Sequence, residues 1–228
     1  MPRTIASKNV VRRWGAGTAA VVRLMVATDL PMTGVAIAVA TEVTQPRASQ
    51  ILKQLADLRA VSATPDGYAG DPAKLLDLYR ARTRPHLVEP ESYWYSTRPL
   101  TEQASRIHVL ATERGAPIAF SADLAPDLVA PWRHPTVTIT YTADRLPAAK
   151  AGFVPAEGRA DASLILRWTD DHRLLSPTAP WVDEVDGHRI ADPCQQWWDL
   201  LDLGGEDRTE AADRLRLAIV ARTLPRPR

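Results

Sequence analysis

The sequence predicts an α+β protein in two parts. A helical N-terminal part is closed by a β-hairpin, and a C-terminal part carries its strands mostly in the middle. Three observations support this. Ala48, Ile51, Leu52, Leu55 and Leu58 recur at steps of three and four, which builds one apolar stripe along a helix. Pro65-Asp66-Gly67 is a turn signal between two short runs of strand character. Thr136-Val137-Thr138-Ile139-Thr140-Tyr141 alternates in the manner of a β-strand.

Ala19 to Ala27 reads as the first helix, broken by Leu30-Pro31-Met32. Thr33 caps a short apolar helix, Gly34 to Ala40, and Thr41-Glu42-Val43 forms a tight link. The next helix starts at Thr44, whose hydroxyl is expected to cap its first turn, where Pro46 is tolerated. Gln45, Arg47, Ser49, Gln50, Lys53 and Gln54 lie off the apolar stripe, and the one acidic residue, Asp57, comes late. Such side chains pair with base edges or phosphates. A polar helix front is by itself usually just a solvated face, so its neighbours decide. Val61 to Thr64 and Tyr68 to Gly70 make a hairpin directly after this helix. Asp71-Pro72 opens another helix running to about Ala81, with Leu75, Leu76, Leu78 and Tyr79 as core. Helix, short helix, tight turn, polar-fronted helix and hairpin is the order of a winged helix-turn-helix. The stretch from Val43 to Tyr68 resembles the winged helix-turn-helix of bacterial transcription regulators.

Charge separates the two parts. Residues 1–86 hold 12 Lys plus Arg against 6 Asp plus Glu, and residues 87–228 hold 16 against 21. A basic N-terminal part suits phosphate contact. Arg47, Gln50 and Lys53 are expected to read the groove, with Gln45, Ser49 and Gln54 secondary. Thr64 and Tyr68 on the hairpin, with Arg12 and Arg13, are expected to position phosphates. Arg3, Lys8, Arg12 and Arg13 form either a basic arm or a solvated terminus. The single cysteine, Cys194, excludes an intrachain disulfide and a multi-cysteine zinc site, which is compatible with a cytoplasmic location. No apolar run reaches the roughly 20 residues that span a bilayer, and Arg23 interrupts the apolar stretch near the start, so no signal peptide is expected.

The proline-containing stretch Thr83 to Pro90 reads as a linker and divides the chain into residues 1–84 and 85–228. Beyond it, Leu100 to Arg114 is a helix ended by Gly115, Pro117 to Phe120 a short buried strand, and Asp123 to Ala130 helical. Ala162 to Trp168 is a further strand, and Asp186-Gly187 is a hairpin turn between Trp181–Val185 and His188–Ile190. Two helices follow, Asp192 to Leu203, which Gly204-Gly205 ends, and Glu206 to about Arg222. Trp197, Leu200, Leu201, Leu215 and Ile219 have the spacing of core residues.

The run ADPCQQWWDLLDLGGEDRTEAADRLR, residues 191–216, resembles the C-terminal signature of the AbiEi-type antitoxins of bacterial type IV toxin–antitoxin systems. Those proteins join a winged helix-turn-helix to a C-terminal antitoxin domain, the order seen in this chain. The resemblance implies repression of its own operon through promoter repeats in double-stranded DNA. It also implies neutralisation of a nucleotidyltransferase-like toxin. Two-fold dimers on inverted repeats are usual for such folds, although no coiled-coil seam is visible.

No catalytic constellation stands out. GxGxxG, P-loop, HExxH and GxSxG patterns are absent. His86, His108, His134, His172 and His188 show no metal-ligand spacing on a helix. Asp170-Asp171 and Asp183-Glu184 read as solvated loops, and Cys194 reads as a buried structural thiol in the absence of a sequence-local base. Pro117 to Ala125 followed by Thr136 to Ile139 resembles a nucleotidyltransferase core that has degenerated. Ser121-Ala122 replaces the glycine pair, and Thr136, Thr138 and Thr140 stand where metal-binding carboxylates would be. The expectation is therefore a DNA-binding antitoxin and autorepressor, not an enzyme, with no cofactor or metal. The alternatives are a stand-alone winged-helix regulator whose C-terminal domain senses a ligand or dimerises, and a phosphoryl- or nucleotidyl-transferring enzyme fused to a winged helix.

Overall fold

A computed structural model describes residues 13–129, 135–175 and 184–225. The N-terminal part contains α1 (Ala16–Ala27), α2 (Gly34–Ala40), α3 (Gln45–Asp57), β1 (Val61–Thr64), β2 (Gly67–Gly70) and α4 (Pro72–Arg82). Helix α1 starts three residues before the predicted Ala19 and is buried continuously from Thr18 to Ala27. Its apolar character all round is explained by that position. Thr33 caps α2 as expected, its Oγ1 accepting from Ala36 N–H at 3.2 Å. The link to α3 is a Schellman-type turn. Val43 N–H reaches Ala38 O at 3.1 Å and Glu42 N–H reaches Val39 O at 3.2 Å, with Glu42 in the left-handed region at φ 50°.

Two details of α3 differ from expectation. Thr44 occupies the N-cap position, but its side chain makes no capping bond. Pro46 in the first turn has no N–H to offer, which removes one of the two donors such a cap normally uses. Leu58 is 38% exposed, whereas Ala48, Ile51, Leu52 and Leu55 are buried. The helix ends at Asp57, so Leu58 leaves the stripe that its spacing implied.

The hairpin pairs antiparallel, Val61 opposite Gly70 and Thr64 opposite Gly67. It is tied to the segment between α1 and α2, because Met32 N–H donates to Tyr68 O (3.0 Å) and Tyr68 N–H to Met32 O (2.8 Å). Gly67 sits at φ +131°, and a Cβ there would collide with the backbone carbonyl of Met32. Gly67→Ala is therefore expected to cost about 1–3 kcal/mol of stability, measured by urea denaturation. An unchanged urea midpoint would show that this backbone contact is dispensable. Asp71 caps α4 by accepting Lys74 N–H at 3.1 Å. Leu75, Leu76 and Tyr79 are buried as expected, while Leu78 is only partly covered.

The C-terminal part is built on a five-stranded mixed sheet of order β4-β5-β7-β3-β6. Its strands are β3 (Ser92–Tyr95), β4 (Ile118–Ala122), β5 (Thr138–Thr142), β6 (Val154–Pro155) and β7 (Leu164–Trp168). Only β5 and β7 run parallel; the other pairs are antiparallel. Helices α5 (Leu100–Glu113), α6 (Leu124–Val129) and α7 (His172–Leu175) accompany it, with β8 (Glu184–Val185) and β9 (His188–Arg189) as a separate hairpin. Asp186 and Gly187 both have positive φ, as a two-residue hairpin turn requires. The predicted strand residues Trp181 to Asp183 lie outside the described residues, as does Ala130 of the predicted helix.

The alternation in β5 does not separate an inside from an outside. Thr138, Thr140 and Thr142 are as buried as Ile139 and Tyr141. One face shares a core with α5, through Phe120, Leu164, Leu166, Ala104 and Ile107. The other packs Ile139, Tyr141 and Ile165 against Leu174 and Leu175 of α7. The last helices, α8 (Pro193–Leu203) and α9 (Glu206–Ala221), share a core with the N-terminal helices. Trp197, Trp198, Leu200, Ala212, Leu215 and Ile219 pack with Val21, Met25, Leu75, Leu76 and Tyr79. Of the predicted terminal core residues only Leu201 is less than fully covered. No described helix is long and apolar enough to cross a membrane.

Candidate nucleic-acid interface

All six polar side chains assigned to the front of α3 are exposed: Gln45, Arg47, Ser49, Gln50, Lys53 and Gln54. Arg47 is turned toward the start of α1. Its Nη2 donates to Thr18 Oγ1 at 3.1 Å, and its Nη1 approaches Gln50 Oε1 at 3.5 Å. There it joins Arg13, Gln54 and Arg82 around a hollow of about 430 Å³. Arg82 lies over the Trp14 ring at 5.8 Å. Three guanidinium groups thus gather beside the first turn of α1, with the carboxylate of Asp57 also lining the hollow. Arg82 and Thr18 were not anticipated, because nothing in the sequence places the end of α4 and the first turn of α1 next to α3.

The hairpin residues have internal tasks. Thr64 Oγ1 donates to Gly67 O at 3.1 Å and closes the turn. Tyr68 is half-buried and packs against the N-terminal core. Arg13 is exposed at the hollow; Arg12, with Arg3 and Lys8, lies outside the described residues.

The C-terminal part grips the turn that leads into α3. Arg173 donates from Nε to Thr41 O at 2.7 Å and from Nη2 to Glu42 O at 2.9 Å. His172 Nε2 meets Glu42 Oε2 at 2.9 Å. No sequence pattern signals this, since the partners are about 130 residues apart.

A buried polar chain continues from the N-terminal helices into the sheet. Arg23 Nη1 donates to Tyr79 Oη (3.3 Å) and Tyr79 donates to Gln195 Oε1 (2.8 Å). Gln195 Nε2 donates to Tyr141 Oη (3.0 Å) and to Asp199 Oδ1 (3.1 Å). Asp199 also accepts from Ser121 Oγ (2.5 Å), Tyr141 Oη (2.8 Å) and Arg167 Nη1 (2.7 Å). Arg167 further binds Glu91 (2.8 Å) and Asp202 (3.0 Å), and Arg159 bridges the same two carboxylates. Burial pushes the Asp199 carboxyl above its ordinary value, opposed by Arg167 and the hydrogen bonds of Ser121, Tyr141 and Gln195. Four donors converging on two oxygens fit the ionised form. Burial opposes the Arg167 charge too, but Tyr141, Asp199 and Glu91 outweigh it and hold the guanidinium well above its ordinary value.

Other sequence expectations resolve here. Cys194 is fully buried, and burial with neighbouring Asp192 pushes its thiol well up, the direction of an inert structural group. Asp170 is exposed and meets His86 at 2.8 Å. Asp171 is not part of a solvated loop: it is 7% exposed and faces Arg23. Glu184 is exposed, and Asp183 lies outside the described residues. His108 and His188, distant in sequence, stand edge to face with ring centroids 5.9 Å apart, and His134 falls outside the described residues. Among the described residues, no three His, Cys, Asp or Glu side chains gather in a way that could hold a metal ion. Thr136, one of the three threonines set against metal-binding carboxylates, donates its hydroxyl to Asp123 Oδ2 at 3.0 Å. No family model, no curated protein and no solved structure matches this chain.

Proposed function

We propose that the N-terminal part binds double-stranded DNA as a winged helix-turn-helix, with α3 entering the major groove. The observation that carries this is the two-faced character of α3. Ala48, Ile51, Leu52 and Leu55 are buried behind it, while Gln45, Arg47, Ser49, Gln50, Lys53 and Gln54 are exposed in front. The hairpin that follows, and the bridge of Met32 to Tyr68, give α3 the neighbours that a winged helix has. The excess of basic residues before position 87 supplies charge for phosphates. Arg47, Gln50 and Lys53 read bases; Arg13 and Arg82 face the backbone.

The biological role proposed is that of an antitoxin that represses its own operon and neutralises a nucleotidyltransferase-like toxin. It rests on the resemblance of residues 191–216 to the AbiEi-type signature. In the fold, this run supplies α8 and most of α9. The test is a gel-shift titration with the DNA upstream of the protein's own coding sequence. Arg47→Ala is expected to weaken specific binding by about 1–3 kcal/mol, with little change on unrelated DNA. Equal affinity of the variant for its operator would remove Arg47 from base reading. A second reading, a stand-alone regulator whose C-terminal part senses a ligand, is favoured by the grip of Arg173 and His172 on the turn before α3. A toxin gene beside the coding sequence separates the two.

A further inference from the structure

The turn between α2 and α3 governs how α3 projects from the N-terminal core, and its backbone is short of donors. The N–H groups of Thr41, Glu42 and Val43 reach back to the carbonyls of Ile37, Val39 and Ala38. The carbonyls of Thr41 and Glu42 lie past the reach of those bonds, and no backbone N–H meets either of them among the described residues. The last carbonyls of a helix and of the turn that ends it need partners from elsewhere.

Arg173 supplies both. Its Nε donates to Thr41 O at 2.7 Å and its Nη2 to Glu42 O at 2.9 Å. The planar guanidinium holds these two donors in a fixed relation, so the pair of bonds sets direction as well as distance. Its charge also suits the carboxyl end of α2. Thr41 is buried, and its Oγ1 donates to Ile37 O at 2.7 Å, which keeps the gripped carbonyl in place. Arg173 stands on α7, where the adjacent Leu174 and Leu175 are buried in the core beneath Ile139, Tyr141 and Ile165. The grip therefore ties the turn to the sheet. The neighbouring contact of His172 with Glu42 is exposed on both sides and constrains less.

We propose that Arg173 is a positioning residue for DNA binding. From the C-terminal part it fixes the α2–α3 turn, and with it the angle at which α3 meets the groove; this rests on the DNA-binding reading given above. Contacts to base edges depend on direction as well as distance. Phosphate attraction acts over a longer range and tolerates a small tilt. Loss of the grip should therefore cost specific affinity and spare non-specific affinity.

Gel-shift titration of the intact protein at several salt concentrations tests this, with the DNA upstream of its own coding sequence and with unrelated DNA. Arg173→Ala is expected to bind the upstream DNA about tenfold more weakly or worse. Its affinity for unrelated DNA and the salt dependence of binding should stay as in wild type, because no phosphate contact is lost. A variant that was merely less folded would weaken on both DNAs alike. Arg173→Lys keeps the charge but lacks the planar fork, so it should lose about threefold, and it decides the matter if the alanine variant does not fold. Amide hydrogen exchange without DNA gives a separate readout: Glu42 and Val43 should exchange faster in Arg173→Ala, and β5 should not. Wild-type affinity of both variants for the upstream DNA would overturn the proposal while leaving the DNA-binding reading intact. A shallower salt dependence with equal loss on unrelated DNA would overturn it too, by making Arg173 a phosphate contact. A wild-type protein that does not prefer its upstream DNA would overturn the reading itself, and the proposal with it.

Discussion

Asp199→Ala is expected to lower the free energy of unfolding by about 3–5 kcal/mol, the usual cost of breaking a buried ion pair from one side. Asp199 has no solvent exposure. Its removal takes the acceptor away from Arg167, Tyr141, Ser121 and Gln195 together. Of these, Arg167 is the most consequential, because its side chain is 3% exposed and an unpaired buried charge costs far more than an unpaired hydroxyl. Glu91 and Asp202 remain beside it, which keeps the expected loss at the scale of one broken pair. Guanidinium denaturation of wild type and variant measures it. Asp199→Asn keeps size and an acceptor but loses the charge, so it should fall between the two. A loss below about 1 kcal/mol for the alanine variant, the scale of an exposed pair, would show that Arg167 is satisfied without Asp199.

Trp197→Ala is the second large effect, again about 3–5 kcal/mol, through lost burial and the cavity left behind. Trp197 is 4% exposed in the core that joins α8 and α9 to α1, α3 and α4. The loss should therefore appear in the N-terminal helices as well as in the last two. Backbone circular dichroism and the fluorescence of the remaining tryptophans should report one coincident transition, shifted to lower denaturant. Two separated transitions in the variant, with the first at the wild-type midpoint, would mean that the N-terminal helices do not depend on this core.

The N-terminal part was largely legible in the sequence because its information is local. Thr33 and Asp71 cap the helices expected of them, and the expected hairpin forms, with Pro65-Asp66 as its turn and Gly67 already paired in the second strand. Where two local signals competed, the reading failed. Thr44 has the right chemistry for a cap, but Pro46 removes one of its donors, and no capping bond forms. In the C-terminal part the information is less local. Strand β3 has only four residues after a proline-containing linker, too few for a period to show, and β6 has two. The alternation of β5 identifies a strand but not that both of its faces are covered, which follows from the sheet's position between α5 and α7. The polar front of α3 was legible as a set of exposed residues. The turn of Arg47 toward Thr18, and the company of Arg82, depend on where α1 and α4 lie, which no spacing encodes.

The polar chain from Arg23 through Tyr79 and Gln195 to Asp199 bears on how freely the two parts can be exchanged. A chimera that replaced residues 1–84 with an unrelated helical module would leave Gln195 facing a tyrosine-less helix unless the incoming module carried a hydroxyl at the place of Tyr79. It would also strip Arg173 of the two carbonyls that it holds at Thr41 and Glu42. Modules joined by a plain linker can be recombined in evolution and at the bench with little regard for sequence. These two share buried hydrogen bonds as well as a core, so transplanting either one requires carrying over its half of the contact, residue by residue.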